Sequence, residues 1–121
     1  MLTTIFIILA GICNGVMDAI RDKFHISILP KKSQWWLSTD WKAKYVDRNP
    51  KNSVIWYWQL LSWFDAWHFF KWWMIMFFAL AILSYEPCYT SVADACILAT
   101  IFACTFLLFY KVILIKPQFR K

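Results

Sequence analysis

Residues 54–84 read VIWYWQLLSWFDAWHFFKWWMIMFFALAILS. As a single helix rising 1.5 Å per residue, this stretch would be about 46 Å long, more than the ~30 Å hydrocarbon core of a bilayer. Its uninterrupted apolar part is 72–84, and counting about 20 residues back from Ser84 puts the start of a span near Phe64. Residues 54–63 then fall at headgroup depth, where Trp and Tyr rings prefer to lie. On this reading 64–84 crosses a membrane and carries three ionisable side chains, Asp65, His68 and Lys71, in its first turns.

The flanks support a membrane solvent. Of the 121 residues, 61% are hydrophobic, with 11 Phe, 9 Trp and 5 Tyr, against roughly 45–50% apolar residues in soluble domains. A soluble core of this size could not hide so much apolar surface. With only 2 Gly and 4 Pro, neither low-complexity disorder nor a collagen-like chain fits, and no internal repeat is visible. Two further apolar runs read as spans, LTTIFIILAGICNGVMDAI at 2–20 and ACILATIFACTFLLFYKVILI at 95–115. A cleavable signal peptide would begin with positive charge, whereas here the first base is Arg21. The first span is set at about 2–20; a helix continuing from it through FHISIL would stop at Pro30, because proline cannot extend a helix interior. The loop YEPCYTSVAD is short, so spans two and three are expected to form an antiparallel hairpin. Lys111, near the end of its run, has a stem long enough to reach headgroups.

The net charge of +6 is unevenly spread. Segment 21–53 holds eight bases and three acids, and the tail adds Lys116, Arg120 and Lys121, whereas 85–94 holds only Glu86 and Asp94. Basic, Trp-rich segments also occur in nucleic-acid binders, since bases stack on aromatic rings. Beside three apolar runs, the better reading is the positive-inside bias of a membrane protein, drawn to anionic headgroups, with no nucleic-acid partner. The expected architecture is a single all-α membrane domain over 1–121 with three transmembrane helices, N-out/C-in, and an aromatic basic interfacial segment over 21–63. Within that segment Trp35, Trp36, Trp41, Lys42, Lys44 and Tyr45 are expected at the membrane interface, rings at the acyl boundary and ammonium groups at phosphates. The four cysteines form no CxxC pair or zinc-finger spacing, and three lie in apolar runs; a structural disulfide framework is not expected.

Asn14, Asp18, Arg21 and His25 recur at helical spacing in the first run, and Gly11-x-x-x-Gly15 frames the start of that stripe and invites another helix to approach closely. These residues fall at the same depth as Asp65, His68 and Lys71. A lone charge at the middle of a membrane helix costs about 2.5–3.5 kcal/mol on insertion scales, which pairing offsets. The seven residues are therefore expected to form a polar cluster joining helices 1 and 2 in the inner leaflet. Three functions fit. The first is a non-catalytic small membrane protein that assembles with itself or with a membrane partner through the Gly11/Gly15 face. The second is a metal-binding protein or metal-dependent hydrolase in which Asp18, His25, Asp65 and His68 hold Zn²⁺ or Fe²⁺, Asp-x-x-His being a spacing that helical bundles use for metals. The third is a holin-like pore former, which shares the size, span number and basic tail; no span has the amphipathic stripe a water-filled lumen would need. No Ser or Cys elbow accompanies the Asp–His pair, so a covalent nucleophile is not supported.

Several of these pieces, NGVMDAI, FHISIL, WKAKY at 41–45 and DAWHFFK at 65–71, resemble a family of small, uncharacterised integral membrane proteins of bacteria and phages. That family carries an Asn-x-x-Met-Asp element, a Trp-Lys-x-Lys-Tyr element and an Asp-x-Trp-His element. They correspond here to Asn14, Met17 and Asp18, to Trp41, Lys42, Lys44 and Tyr45, and to Asp65, Trp67 and His68. Asp40 stands where a serine usually precedes the second element. The resemblance covers residues 1 to about 84 and implies membrane class and the importance of these motifs; the expected place is the bacterial inner membrane, with the basic segments cytoplasmic by their charge bias. The resemblance implies no activity.

Overall fold

A computed structural model describes residues 1–30, 36 and 66–119. Three helices account for most of them: α1, Leu2–Asp22; α2, Ala66–Leu83; and α3, Ser91–Leu108, prolonged by a π-helical turn, Phe109–Ile113. All three are long and apolar enough to cross a membrane.

The helices are not equivalent. Half of α1 is buried, against 11% of α2 and 6% of α3 with its extension. The first helix is therefore the axis of the bundle, and it packs along both of the others. Spans two and three are joined by the short loop as expected and meet at points such as Phe78 and Phe102, with ring centroids 5.4 Å apart, while α1 makes the more extensive packing with each of them. Residue size explains the choice. On α1 the chain places Ala10, Gly11, Gly15 and Ala19, all buried, and hydrocarbon offers no hydrophobic drive between helices, so close backbone approach and dispersion decide which faces pair. The aromatic side chains of α2 are half-buried, and the outward positions include Lys71, Ile75, Ile82 and Leu83 on α2 and Val92, Ile97, Leu107 and Leu108 on α3.

Direction follows from the contacts. Thr3 at the start of α1 donates through Oγ1 to the carbonyl of Ser84 just past α2, at 2.7 Å, and Phe6 stacks on Phe77 with centroids 6.4 Å apart; α1 and α2 run antiparallel. Gly11 faces Phe102 and Thr105, and Gly15 faces Phe106, Phe109 and Tyr110, so α1 and α3 run parallel. The bundle has a loop end, with Leu2 and residues 84–90, and a basic end, where α1 and α3 finish and α2 begins.

At the basic end the helix does not continue to Pro30. It stops at Asp22 and is followed by a 3₁₀ turn, Phe24–Ile26, and an extended Ser27. Ser27 is fully buried. Its hydroxyl donates to the carbonyl of Phe24 at 2.8 Å and accepts from the amide of Leu29 at 3.3 Å, a local bonding pattern that competes with helix. The extended backbone then pairs antiparallel with the chain leaving α3. Ile28 N–H donates to the Leu114 carbonyl at 2.9 Å, and Lys116 N–H to the Ile26 carbonyl at 3.0 Å, about the Ser27–Ile115 bridge. This clip ties together the ends of the first and third helices. Beneath it Val16, Ala19, Ile20, Leu29, Ala66 and Leu114 form a buried core, with Trp36, Trp67, Phe70 and Tyr110 packed on its rim.

The third helix starts earlier than expected, at Ser91 rather than residue 95, because Thr90 caps it: its side chain accepts from the Ala93 amide at 3.2 Å, satisfying an otherwise orphaned donor of the first turn. It leaves regular geometry through the π turn, where the Leu114 amide reaches back to the Phe109 carbonyl at 3.0 Å.

Candidate functional site at the basic end

The polar stripe of α1 begins at the half-buried Asn14 and Asp18. Arg21 anchors it, pairing with Asp18 at 3.2 Å one turn back and with Asp22 through Nε at 2.7 Å and Nη2 at 3.0 Å. With Arg21 58% exposed, solvent screens such pairs; their effect is to fix where the guanidinium points. Facing them is Tyr110 of the π turn, within electrostatic reach of Asp18, Arg21 and Asp22. Lys23 places its ammonium 4.2 Å from the Tyr110 ring centroid, inside the range of a cation–π contact. The stripe thus engages the π turn that prolongs α3, an element the sequence reading had not given it as a partner.

His25, expected to extend the stripe by one more turn, leaves it: α1 has already ended, and His25 sits exposed on the 3₁₀ turn. Asp65 lies outside the described residues, as do Trp35, Trp41, Lys42, Lys44 and Tyr45. Trp36 is half-buried and packs against Phe70, ring centroids 6.0 Å apart.

Trp67 contacts both His68 and Lys71 on α2. The His68 ring stands edge-on to it at 5.0 Å, and Lys71, four residues on, brings its ammonium to 5.0 Å from the Trp67 centroid. Helical side chains lean toward the N-terminus of their helix. Lys71 therefore reaches back toward the start of α2 and exchanges part of its lost hydration for the negative face of the indole. This is a physical reason for a lysine in an aromatic run. Among the described residues Arg21, Lys23, Lys71, Lys111 and Lys116 are the lysines and arginines of this end of the bundle, and two of them, Lys23 and Lys71, stand over aromatic rings.

Among the described residues, no three His, Cys, Asp or Glu side chains come together in a group able to hold a metal ion; of the expected donors, Asp18, His25 and His68 belong to these residues, and Asp65 does not. The arrangement can neutralise its own carboxylates, hold helix ends in register and offer cations beside aromatic rings to an anionic surface.

The sequence reading passed over two residues of this end. Tyr110 looked like one more apolar position of the third run; its spacing near the basic end was the available signal. Ser27 looked like part of a helix, yet a serine between β-branched isoleucines in HISI is poor helix material. Comparison of the chain with protein-family models, with curated proteins and with solved structures finds no match.

Proposed function

We propose that this protein is a small integral membrane protein of non-catalytic role, oriented N-out/C-in. Its basic end would lie against the anionic headgroups of the cytoplasmic leaflet and serve as an assembly platform there. The observation that carries this reading is a bundle of three membrane-length helices, two of them packed along α1, with lysine and arginine side chains at one end, two of which stand over aromatic rings. Juxtamembrane cations near an anionic surface are attracted by about 1 kcal/mol each. The Asp18–Arg21–Asp22 network and Tyr110 support a docking role for the polar cluster, since each charge has a local partner. The faces of α2 and α3 turned away from α1 are left for lipid, a second copy or a membrane partner.

Cys88 is exposed in the loop between α2 and α3, which makes it a natural reporter. A membrane-impermeant maleimide should label Cys88 in right-side-out vesicles, with Cys88→Ser abolishing the signal. A Gln118→Cys variant on the Cys88→Ser background should label only in inside-out vesicles. The reverse pattern overturns the orientation, and release of the protein by alkaline carbonate overturns the membrane reading.

A further inference from the structure

At the loop end, opposite the basic platform, the helices diverge around a cavity of about 510 Å³. This is within the size range of small-ligand sites, roughly 300–1,000 Å³. Leu2, Leu83, Ile97 and Leu98 form apolar walls, and Thr4, Glu86 and Asp94 supply polar groups. Leu2, Leu83 and Ile97 are also exposed on the outside of the bundle, at 55%, 82% and 45%, so the walls run without a break into the surface that faces acyl chains.

Asp94 is the unusual member. It is 6% exposed, and its carboxylate is held by neutral donors: the Tyr85 hydroxyl at 2.8 Å and the Cys88 amide at 2.9 Å on Oδ2, and the Tyr89 amide at 3.2 Å on Oδ1. Among the described residues, no Lys, Arg or His forms an ion pair with it. A buried carboxylate is ordinarily paired with a cation, and Oδ1, with a single strong donor, has acceptor capacity left. Glu86 adds a second negative charge at the rim, and no base occurs between residues 85 and 94.

We propose that this cavity binds the headgroup of an ethanolamine phospholipid from the leaflet at the loop end, its primary ammonium donating to Asp94 Oδ1 and Glu86. The apolar walls would hold the upper part of an acyl chain. An ammonium carrying N–H donors fits two carboxylates with open acceptor sites, whereas a quaternary choline has no hydrogen to donate. Continuity of the walls with the lipid-facing surface favours a lipid over a soluble amine. The proposal rests on the membrane reading, and the two fail separately: a carbonate-extractable protein ends both, whereas a firmly embedded protein without headgroup preference ends this one alone.

The test is lipid retention by native mass spectrometry of the detergent-solubilised full chain, offered equal amounts of dioleoyl phosphatidylethanolamine and dioleoyl phosphatidylcholine. Wild type should retain the ethanolamine lipid at least tenfold more. Glu86→Gln, which leaves the Asp94 hydrogen bonds in place, and Ile97→Trp, which fills the cavity without touching a polar group, should each bring the ratio below threefold. Free ethanolamine at millimolar concentration should not displace the lipid. Equal retention by wild type, or ratios unchanged in both variants, overturns the proposal; displacement by free ethanolamine overturns the lipid assignment in favour of a soluble amine.

Discussion

Substituting Gly15 by alanine tests the central place of α1. A Cβ built at this position would lie 2.9 Å from Phe109 Cβ, 3.3 Å from the Phe106 carbonyl oxygen and 3.4 Å from the Tyr110 amide nitrogen. Carbon pairs rest at about 3.5–4.0 Å, so the π turn must move by roughly 0.6 Å or more. Two of the three neighbours are backbone atoms and the third is a Cβ, so no side-chain rotation relieves the overlap. Overpacking of this kind costs about 1–3 kcal/mol. Against it stands the helix preference of alanine over glycine, ~0.8–1.0 kcal/mol. The expected net is a loss of about 1 kcal/mol, a fivefold fall in the folded-to-unfolded ratio, read from reversible unfolding in mixed micelles of increasing SDS fraction. Gly11→Ala meets the Phe102 carbonyl oxygen and Thr105 Cβ, both at 3.0 Å, and should behave alike; the double variant should lose more than either. The reasoning is refuted if Gly15→Ala gains the ~1 kcal/mol that propensity alone provides, because α3 would then not be seated on this face.

Asp94→Asn exchanges a carboxylate taking three hydrogen bonds for an amide that presents a donor to some of the same donors; a loss of about 1.5–3 kcal/mol is expected, along with faster alkylation of Cys88, whose amide Asp94 holds. The Tyr85 hydroxyl donates to Asp94, and this hydrogen bond, followed by burial and the neighbouring negative charge, raises the phenol above its ordinary value of 10.0. Its folded value exceeds its unfolded one, so the associated stability is full below the unfolded value and is lost as pH rises through the folded one. In a spectrophotometric titration, Tyr85→Phe should remove a late-ionising step. Ser27→Ala leaves the Leu29 amide without its side-chain acceptor at a fully buried site; a loss of about 1–3 kcal/mol is expected, with faster hydrogen exchange at the Ile28 and Lys116 amides as the specific signature.

The three spans were legible because apolar length is a strong signal: 2–20 became Leu2–Asp22, 64–84 became Ala66–Leu83, and 95–115 became a helix from Ser91 through Ile113. Their ends were less so, because ends depend on single polar atoms. Thr90 advanced the start of α3 by four residues, and Ser27 kept the first helix from running on to Pro30. The Gly11–Gly15 pair is a place of close approach, as read, but the expected assembly with another copy or a partner through that face is corrected, because Phe102, Thr105, Phe106, Phe109 and Tyr110 already fill it. That the approaching helix is α3 of the same chain was not written in the pattern, since a small face specifies closeness and not the partner. The polar stripe was legible as far as Arg21. Its continuation to His25 assumed an unbroken helix, and its meeting with Tyr110 depended on a π turn that no periodicity announces. Asp94 read as an ordinary loop acid; only folding shows the loop wrapped around it.

The Ser27–Ile115 clip also sets an order of events during biogenesis. Its two halves come from opposite ends of the chain, and roughly 90 residues must be polymerised between them, which takes about 5–20 s at ~5–20 residues per second. Throughout that interval the first helix stands in the bilayer with its glycine face bare and its carboxylates lacking Tyr110. The contacts of that glycine face are therefore among the last that the chain can complete.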